Sequence, residues 1–397
     1  MGYYLVNSLD SIYYTDDTED NSHLLKDVTI LMAVYNEDPD EFTLSIEAVK
    51  SQGVKFIVVG DSSLEPYRAI TEKNGGLFFH KSKRGGKRKA IAFGMQFIDT
   101  EFVLIVDSDT ILPEHAVPGL LSKFTPGVGG VSGVIKIINE NNPVSYSAEF
   151  TERAREVILK STAKRGNTLT LDGACMMFRT SVVKDFILSS DFTEPRFLGR
   201  PGKLGDDRQL TGVVINRGYR ITRNFNVVVR TRAQKTYRSY FRQQVRWSRA
   251  GWRFLFRYIR DGTLVKSGKF YALELLFISV LPLSFLALLL TKSYFFVEPF
   301  IIHNAPLSFS ILFERFVKTF VAVPGMVTRF GPRFEAHTLI TILDFIGLGI
   351  YAAAVSMNML VNRLKTFAYG SFALLILLVA NIWGLMTVWK QGSWLTR

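Results

Sequence analysis

Phe102-Val103-Leu104-Ile105-Val106-Asp107-Ser108-Asp109-Thr110 is a short apolar run that stops at a pair of carboxylates. A run of that length and composition, bounded by polar turn residues, reads as a buried strand whose carboxyl end opens on a polar site. Two earlier stretches repeat the pattern. Val28 to Val34 ends in Tyr35-Asn36-Glu37-Asp38-Pro39, and Lys55 to Val59 ends in Gly60-Asp61-Ser62-Ser63. Amphipathic stretches separate them, so the reading is α/β with a mainly parallel sheet, a Rossmann-like arrangement in which ligands bind beyond the carboxyl ends of the strands. All three polar clusters sit at such ends. They point to one shared nucleotide site, with Tyr35, Glu37, Asp61 and Asp107 as candidate contacts.

Asp107 and Asp109, at i and i+2, can offer two carboxylates to one divalent cation that also bridges nucleotide phosphates. Mg2+ or Mn2+ fits, because hard ions take oxygen ligands and share them with substrate phosphate. A lone D-x-D is more often a solvated turn. Farther on, Gly205-Asp206-Asp207-Arg208 precedes a helical run, where a carboxylate could take a proton from a sugar hydroxyl or simply serve the first turn of the helix. Lys83-Arg84-Gly85-Gly86-Lys87-Arg88-Lys89 sets cations and flexible glycines ahead of another helix, a diphosphate contact or a solvated basic loop. Gln243-Gln244-Val245-Arg246-Trp247 combines a phosphate-pairing Arg with a ring that stacks on sugars. Cys175, the single cysteine, allows no intramolecular disulfide and lacks a neighbouring base, so it reads as a small buried residue.

Hydrophobic residues make up 48% of the 397 and crowd the last third. Phe270 to Leu290, Leu339 to Val361 and Thr366 to Trp389 are each long enough to cross a hydrocarbon core. The formal net charge is +13, and thirteen Lys and Arg without one Asp or Glu fall between Arg217 and Arg260. Arg238, Arg242, Arg246, Arg249, Arg253, Arg257 and Arg260 recur every three or four residues among aromatics, predicting a helix with one basic side lying on anionic lipid. Such interleaving also suits nucleic acid, but the adjoining apolar segments favour a bilayer and no nucleic acid. The first twenty residues have no apolar core and do not make a signal peptide. The expected organisation is a loose polar leader (1–27), a catalytic domain (28–231), interfacial helices (232–269), a transmembrane region (270–389) and a terminal segment (390–397).

Taken in order, these motifs resemble family 2 glycosyltransferases of the GT-A fold, and within them hyaluronan synthases and their chitin-synthase-like relatives. The resemblance runs from about Val28 to the last residue. It implies Asp107 and Asp109 as metal ligands, Asp207 as general base with Asp206 as second choice, and Lys87 and Arg88 as diphosphate contacts. It further implies donor and acceptor contacts from Asp172, Gly173, Cys175 and Arg208, and from Gln243, Arg246 and Trp247 of the Q-x-x-R-W. Trp394 to Arg397 resembles a W-G-T-R gate over the nucleotide, with Leu395 in place of Gly.

The function so implied is inverting polymerisation of UDP-sugars, with UDP-GlcNAc and UDP-GlcA as donors and a growing polysaccharide as acceptor. The implied location is the plasma membrane, crossed several times, with the catalytic part cytoplasmic; homo-oligomerisation is left open. Rival readings are a chitin-synthase-like enzyme, a non-processive transferase acting on a lipid carrier, and a membrane transporter or scaffold. A gate that touches nucleotide requires an even number of crossings after residue 269. Either Thr291 to Pro324 holds a fourth crossing, or one apparent span, Thr366 to Trp389 before the others, lies in the interface or within the protein.

Overall fold

The computed structural model describes residues 2–302, 306, 308–316, 346–359 and 362–392. In chain order its elements are α1 (Gly2–Ile12), β1 (Val28–Val34), α2 (Pro39–Lys50), β2 (Lys55–Asp61), α3 (Tyr67–Lys73), β3 (Leu77–Lys81), α4 (Lys87–Met95), β4 (Phe102–Asp107), α5 (Ala116–Leu121), β5 (Val128–Ile137), α6 (Pro143–Lys164), β6 (Cys175–Arg179), α7 (Thr180–Leu188), α8 (Ser190–Thr193), β7 (Arg196–Phe197), β8 (Arg200–Pro201), α9 (Asp206–Asn216), β9 (Arg220–Thr231), α10 (Tyr237–Arg260), α11 (Thr263–Lys266), α12 (Lys269–Ile301), α13 (Phe309–Phe316), α14 (Ile346–Met357) and α15 (Arg363–Met386). A short 3₁₀ turn covers Ser22–Asp27.

Seven strands form one sheet in the order β3-β2-β1-β4-β6-β5-β9. The three runs read as strands are its centre, and β1 pairs in parallel with both β2 and β4. Because strand side chains alternate faces, Ile30 and Met32 enter the core under α2 and α5, while Leu31 enters the opposite core with Ile91, Met95 and Phe178. Register brings Ala33 level with Asp107, and Val34 level with Gly60, so the polar clusters share one edge. The sheet is not all parallel. β6 runs antiparallel between β4 and β5, which delivers the loop before it, Asp172-Gly173-Ala174, to that same edge. The main chain records the join, since Asp107 N–H donates to Ala174 O at 3.3 Å.

Two expectations need correction. Residues 2–12 are not a loose leader but a helix against α6, with Asn7 and Ser8 fully buried. The basic stripe of α10 does not lie on one solvent or lipid face either. Arg249 and Arg253 are buried; Arg249 Nε donates to Thr387 Oγ1 at 2.9 Å, and Arg253 donates to the carbonyls of Gly202 and Leu204. The seven arginines do share one side of the helix, but the middle of that side packs against protein, where Arg249 and Arg253 meet oxygens that need donors.

The first apolar segment forms a longer helix than expected, α12, and the last forms α15; both are long and apolar enough to cross a membrane. Only 11% of the most apolar stretch of α12 is covered by the rest of the molecule. α15 lies beside α6 and α10: Ser147 Oγ donates to Tyr369 O at 3.0 Å, and both Ser248 and Trp252 donate to Asn381 O. The middle segment is described only over α14 and its flank, residues 346–359; its two ends and parts of Thr291 to Pro324 lie outside the described residues.

Candidate active site

Lys87 is the hinge of the site. Its Nζ stands 2.6 Å from Asp107 Oδ1 and 3.1 Å from Asp206 Oδ2, tying the D-x-D to the G-D-D-R across almost a hundred residues of chain. A Cβ on Gly173 would lie 3.6 Å from Asp207 Cβ and 3.7 Å from Lys87 Nζ, so the loop before β6 closes the same cleft. Asp107, Asp206, Asp207, Gly173 and Lys87 are therefore together, at the carboxyl edge of the sheet. Asp109, half-buried, lies two residues past Asp107 at the end of β4.

Each member is held by local chemistry. Asp61, almost fully buried, accepts from Gly85 N–H at 2.8 Å and Gly86 N–H at 2.6 Å, with Lys81 Nζ at 3.3 Å. Gly86 has φ +88°, the turn that starts α4, so Asp61 sets the direction in which Lys87 leaves the helix. The structure thus gives Asp61 a different job from the expected nucleotide contact, because both its oxygens are taken by main chain. Asp206 and Asp207 occupy the first turn of α9, where the helix dipole favours carboxylates. Glu37 Oε2 accepts from Ser108 Oγ at 3.0 Å, linking the first polar cluster to the D-x-D. Tyr35 lies under the Arg84 guanidinium at 3.8 Å.

Charge separates the two neighbouring acids. Burial alone would raise the Asp206 carboxyl, but Lys87 and Arg88 outweigh it and hold it down to about 2. Asp207 moves the other way, raised by burial and then by repulsion from Asp206. Lys87, which burial would weaken, is held far above its ordinary range by Asp107 and Asp206.

Four further expectations change. Arg88 is buried, and its guanidinium donates to Gln209 Oε1 at 2.7 Å and to the carbonyls of Phe192, Lys203 and Leu204, so it builds the loop under α9 rather than facing a diphosphate. Asp172 is also buried, 2.6 Å from Arg223 and paired with Arg155, and so cannot reach a sugar. Cys175 is buried in β6, opposite Val106, where burial pushes its thiol up to about 12. Arg208 turns toward α10 at Gly251 and lines a small cavity with Tyr258 and Tyr271. For Arg88 and Asp172 the polar group inside the protein is satisfied by the protein first.

Asp172 illustrates the cost. Asp172→Ala is expected to destabilise by about 3–5 kcal/mol, since it strands two guanidinium groups, one of them fully buried. Denaturant unfolding of the purified catalytic part within the intact chain would measure this.

The Q-x-x-R-W lies on α10, one turn before the residues that back the acid loop. A Cβ on Gly205 would meet Ala250 at 3.1 Å and Phe254 at 2.7 Å, and Gln243, Arg246 and Trp247 precede Ala250 by seven, four and three residues. Helical spacing therefore puts them on the face that meets this loop. Trp247 is exposed. Gly205 itself has φ +71°. Gly205→Ala is expected to cost about 1–3 kcal/mol from overpacking, with a further strain from the positive φ, and to shift Asp206 and Asp207; a lowered unfolding midpoint together with weakened transfer would register both. Trp394 and Arg397 lie outside the described residues.

Sequence reasoning missed Arg155, Lys81 and Ser108. Only Ser108 had a signal, its place inside the D-x-D; the other two act through partners that folding alone brings near.

A mixed seven-stranded sheet with acids gathered at the carboxyl edge, followed by two long apolar helices, matches a GT-A fold. Residues 76–250 match the family model described as "Glycosyltransferase like family 2". It is 27% identical over 243 residues to an N-acetylglucosaminyltransferase of Azorhizobium caulinodans, covering 57% of this chain and 60% of that one. A second N-acetylglucosaminyltransferase, from Bradyrhizobium diazoefficiens, is 28% identical over 248 residues, 58% of this chain and 50% of its own. Human hyaluronan synthase 3 is 30% identical over 183 residues, 43% of this chain and 32% of its own. The matched region thus spans about half to three-fifths of the two bacterial relatives. The fold is similar to that of the mannosyltransferase PcManGT from Pyrobaculum calidifontis, solved with GDP-Man and Mn2+, with a TM-score of 0.55 and 16% identity, covering 98% of this chain and 94% of that one.

Proposed function

We propose that this protein is a membrane-bound, metal-dependent, inverting hexosyltransferase that uses a UDP-sugar and extends a polysaccharide. The observation that carries the reading is the Lys87 bridge between Asp107 and Asp206, with Asp207 beside Gly173 in the same cleft.

The donor set fits a divalent cation shared with substrate. Asp107 and Asp109 are hard oxygen donors at a strand end, and among the described residues no group of three or more His, Cys, Asp or Glu could enclose a metal alone. Such a pair suits Mg2+ or Mn2+ completed by phosphate oxygens. Bound there, the ion would act as a Lewis acid on the leaving diphosphate. Lys87 supplies a cation on the diphosphate side, and Arg246 a guanidinium suited to phosphate. Asp207, the more basic of the paired acids, takes the proton from the attacking hydroxyl, while the Trp247 ring offers a stacking face to the acceptor sugar.

Both bacterial relatives are named for N-acetylglucosaminyl transfer and the human one for hyaluronan synthesis. UDP-GlcNAc is therefore the first donor to try, and UDP-GlcA the second, as for a hyaluronan synthase. The apolar helices α12 and α15 support a membrane location, and several crossings with a cytoplasmic catalytic domain are the arrangement that goes with this reading. Membranes holding the protein, given UDP-sugars singly and in pairs with Mn2+, should convert UDP-GlcNAc. Long product on joint addition of UDP-GlcA supports hyaluronan-like synthesis, long product from UDP-GlcNAc alone a chitin-like one, and single-sugar lipid product the non-processive alternative. No UDP release from any donor would overturn the reading.

A further inference from the structure

α1 is an amphipathic helix folded inside out. Its polar residues Asn7, Ser8, Asp10 and Ser11 are all buried, while Val6, Leu9 and Ile12 face outward, with Tyr13 just beyond. Leu9 is 41% exposed and Asn7 is 1% exposed, the reverse of what a helix on a water-facing surface presents.

The buried side has definite partners. Asp10 pairs with Lys164, the last residue of α6, and with Arg165 just beyond it, and accepts from Ser161 Oγ at 3.2 Å. At the other end, Tyr3 Oη donates to Glu274 Oε1 at 2.7 Å, and Asn7 Nδ2 lies 3.3 Å from Glu274 Oε2. Glu274 sits in the second turn of α12, an otherwise apolar helix, and is itself buried. A carboxylate at that place needs polar cover, and α1 brings it.

The direction of α1 follows from these contacts. Tyr3 stacks on Phe277 at 4.1 Å, and Tyr4 meets Tyr351 of α14 at 5.0 Å edge to face. Arg165, the partner of Asp10, lies over Phe270 at 4.3 Å. Passing from Asp10 to Tyr3 therefore climbs α12 from Phe270 to Phe277, about 10 Å of helical rise. The outward residues of α1 continue the exposed apolar surface of α12, where Leu273, Phe277 and Val280 are uncovered.

We infer that α1 is seated in the bilayer beside α12, its apolar face against acyl chains and its polar face sealing Glu274 from lipid. The inference rests on the reading of α12 as membrane-embedded. Charge supports lipid as the occupant: Lys164 and Arg165 stand at the end of α1 nearest the start of α12, where anionic headgroups would lie.

Nitroxide scanning of the full chain in lipid nanodiscs tests both parts separately. Leu9→Cys on α1, Leu288→Cys on α12 and Lys73→Cys on α3 change exposed residues, and the native Cys175 is buried. Leu9 and Leu288 should both collide with oxygen severalfold more, relative to a water-soluble nickel chelate, than Lys73 does. Nickel access at Leu9 with oxygen preference at Leu288 overturns the seating of α1 alone. Nickel access at both removes the membrane reading on which it stands. Shielding of Leu9 from both probes, with spin–spin broadening, would mean a second copy covers the face and overturns lipid as its occupant.

Discussion

Asp207→Asn is expected to lower sugar transfer by about 10²- to 10⁴-fold, the usual contribution of a positioned general base, while UDP binding stays near that of the unmodified protein. Asn keeps the size of Asp and its place in the first turn of α9, so what is lost is the proton acceptor. The choice between the neighbouring acids follows from their surroundings. Asp206, held to about 2 by Lys87 and Arg88 against its burial, is a weak base. Asp207 is raised by burial and by Asp206. A base must be ionised to act, so transfer should climb with pH through the Asp207 ionisation, on a limb above the ordinary carboxylate value of about 3.9. Asp206→Asn removes the repulsion and should move that limb to lower pH. Transfer rates and UDP affinity measured on the same preparations would check both, and undiminished transfer by Asp207→Asn would place the base elsewhere.

Asp109→Asn is expected to reduce metal-dependent UDP release by about 10²-fold or more. A Lewis acid on a leaving diphosphate contributes several kcal/mol, and each 1.36 kcal/mol is about tenfold in rate. With only two carboxylates at the end of β4 to hold the ion, neutralising one leaves a site that depends on phosphate. Mn2+ titration followed by its own paramagnetic signal, in the presence of UDP, should show weaker binding alongside the slower release. Normal Mn2+ affinity and normal release would remove Asp109 from the metal site.

Both predictions start from residues that were legible as sequence. Strands β1, β2 and β4 could be read because a buried strand must be apolar and must stop where water begins. The start of α6 obeys a local rule of the same kind, since the Asn142 side chain accepts from Ser145 N–H at 2.8 Å as an N-cap should. The α/β class, the shared edge of the sheet and the apolar helices α12 and α15 followed from such local rules. Asp206 and Asp207 were also visible, but nothing near them in the chain distinguishes one from the other.

What tertiary structure decided was who faces whom. Arg88 and Lys87 are adjacent in sequence, yet one points into the cleft and the other into the protein, because successive positions on a helix lie about 100° apart. Asp172 looked available until Arg155 and Arg223 closed on it from α6 and β9. The leader looked loose because its polar residues suggest water, and no local pattern says that Glu274, far along the chain, will need them. Periodicity and end signals are properties of neighbours and so can be read from the chain itself, whereas the partner of a buried charge is set by packing between elements and appears only once the chain has folded.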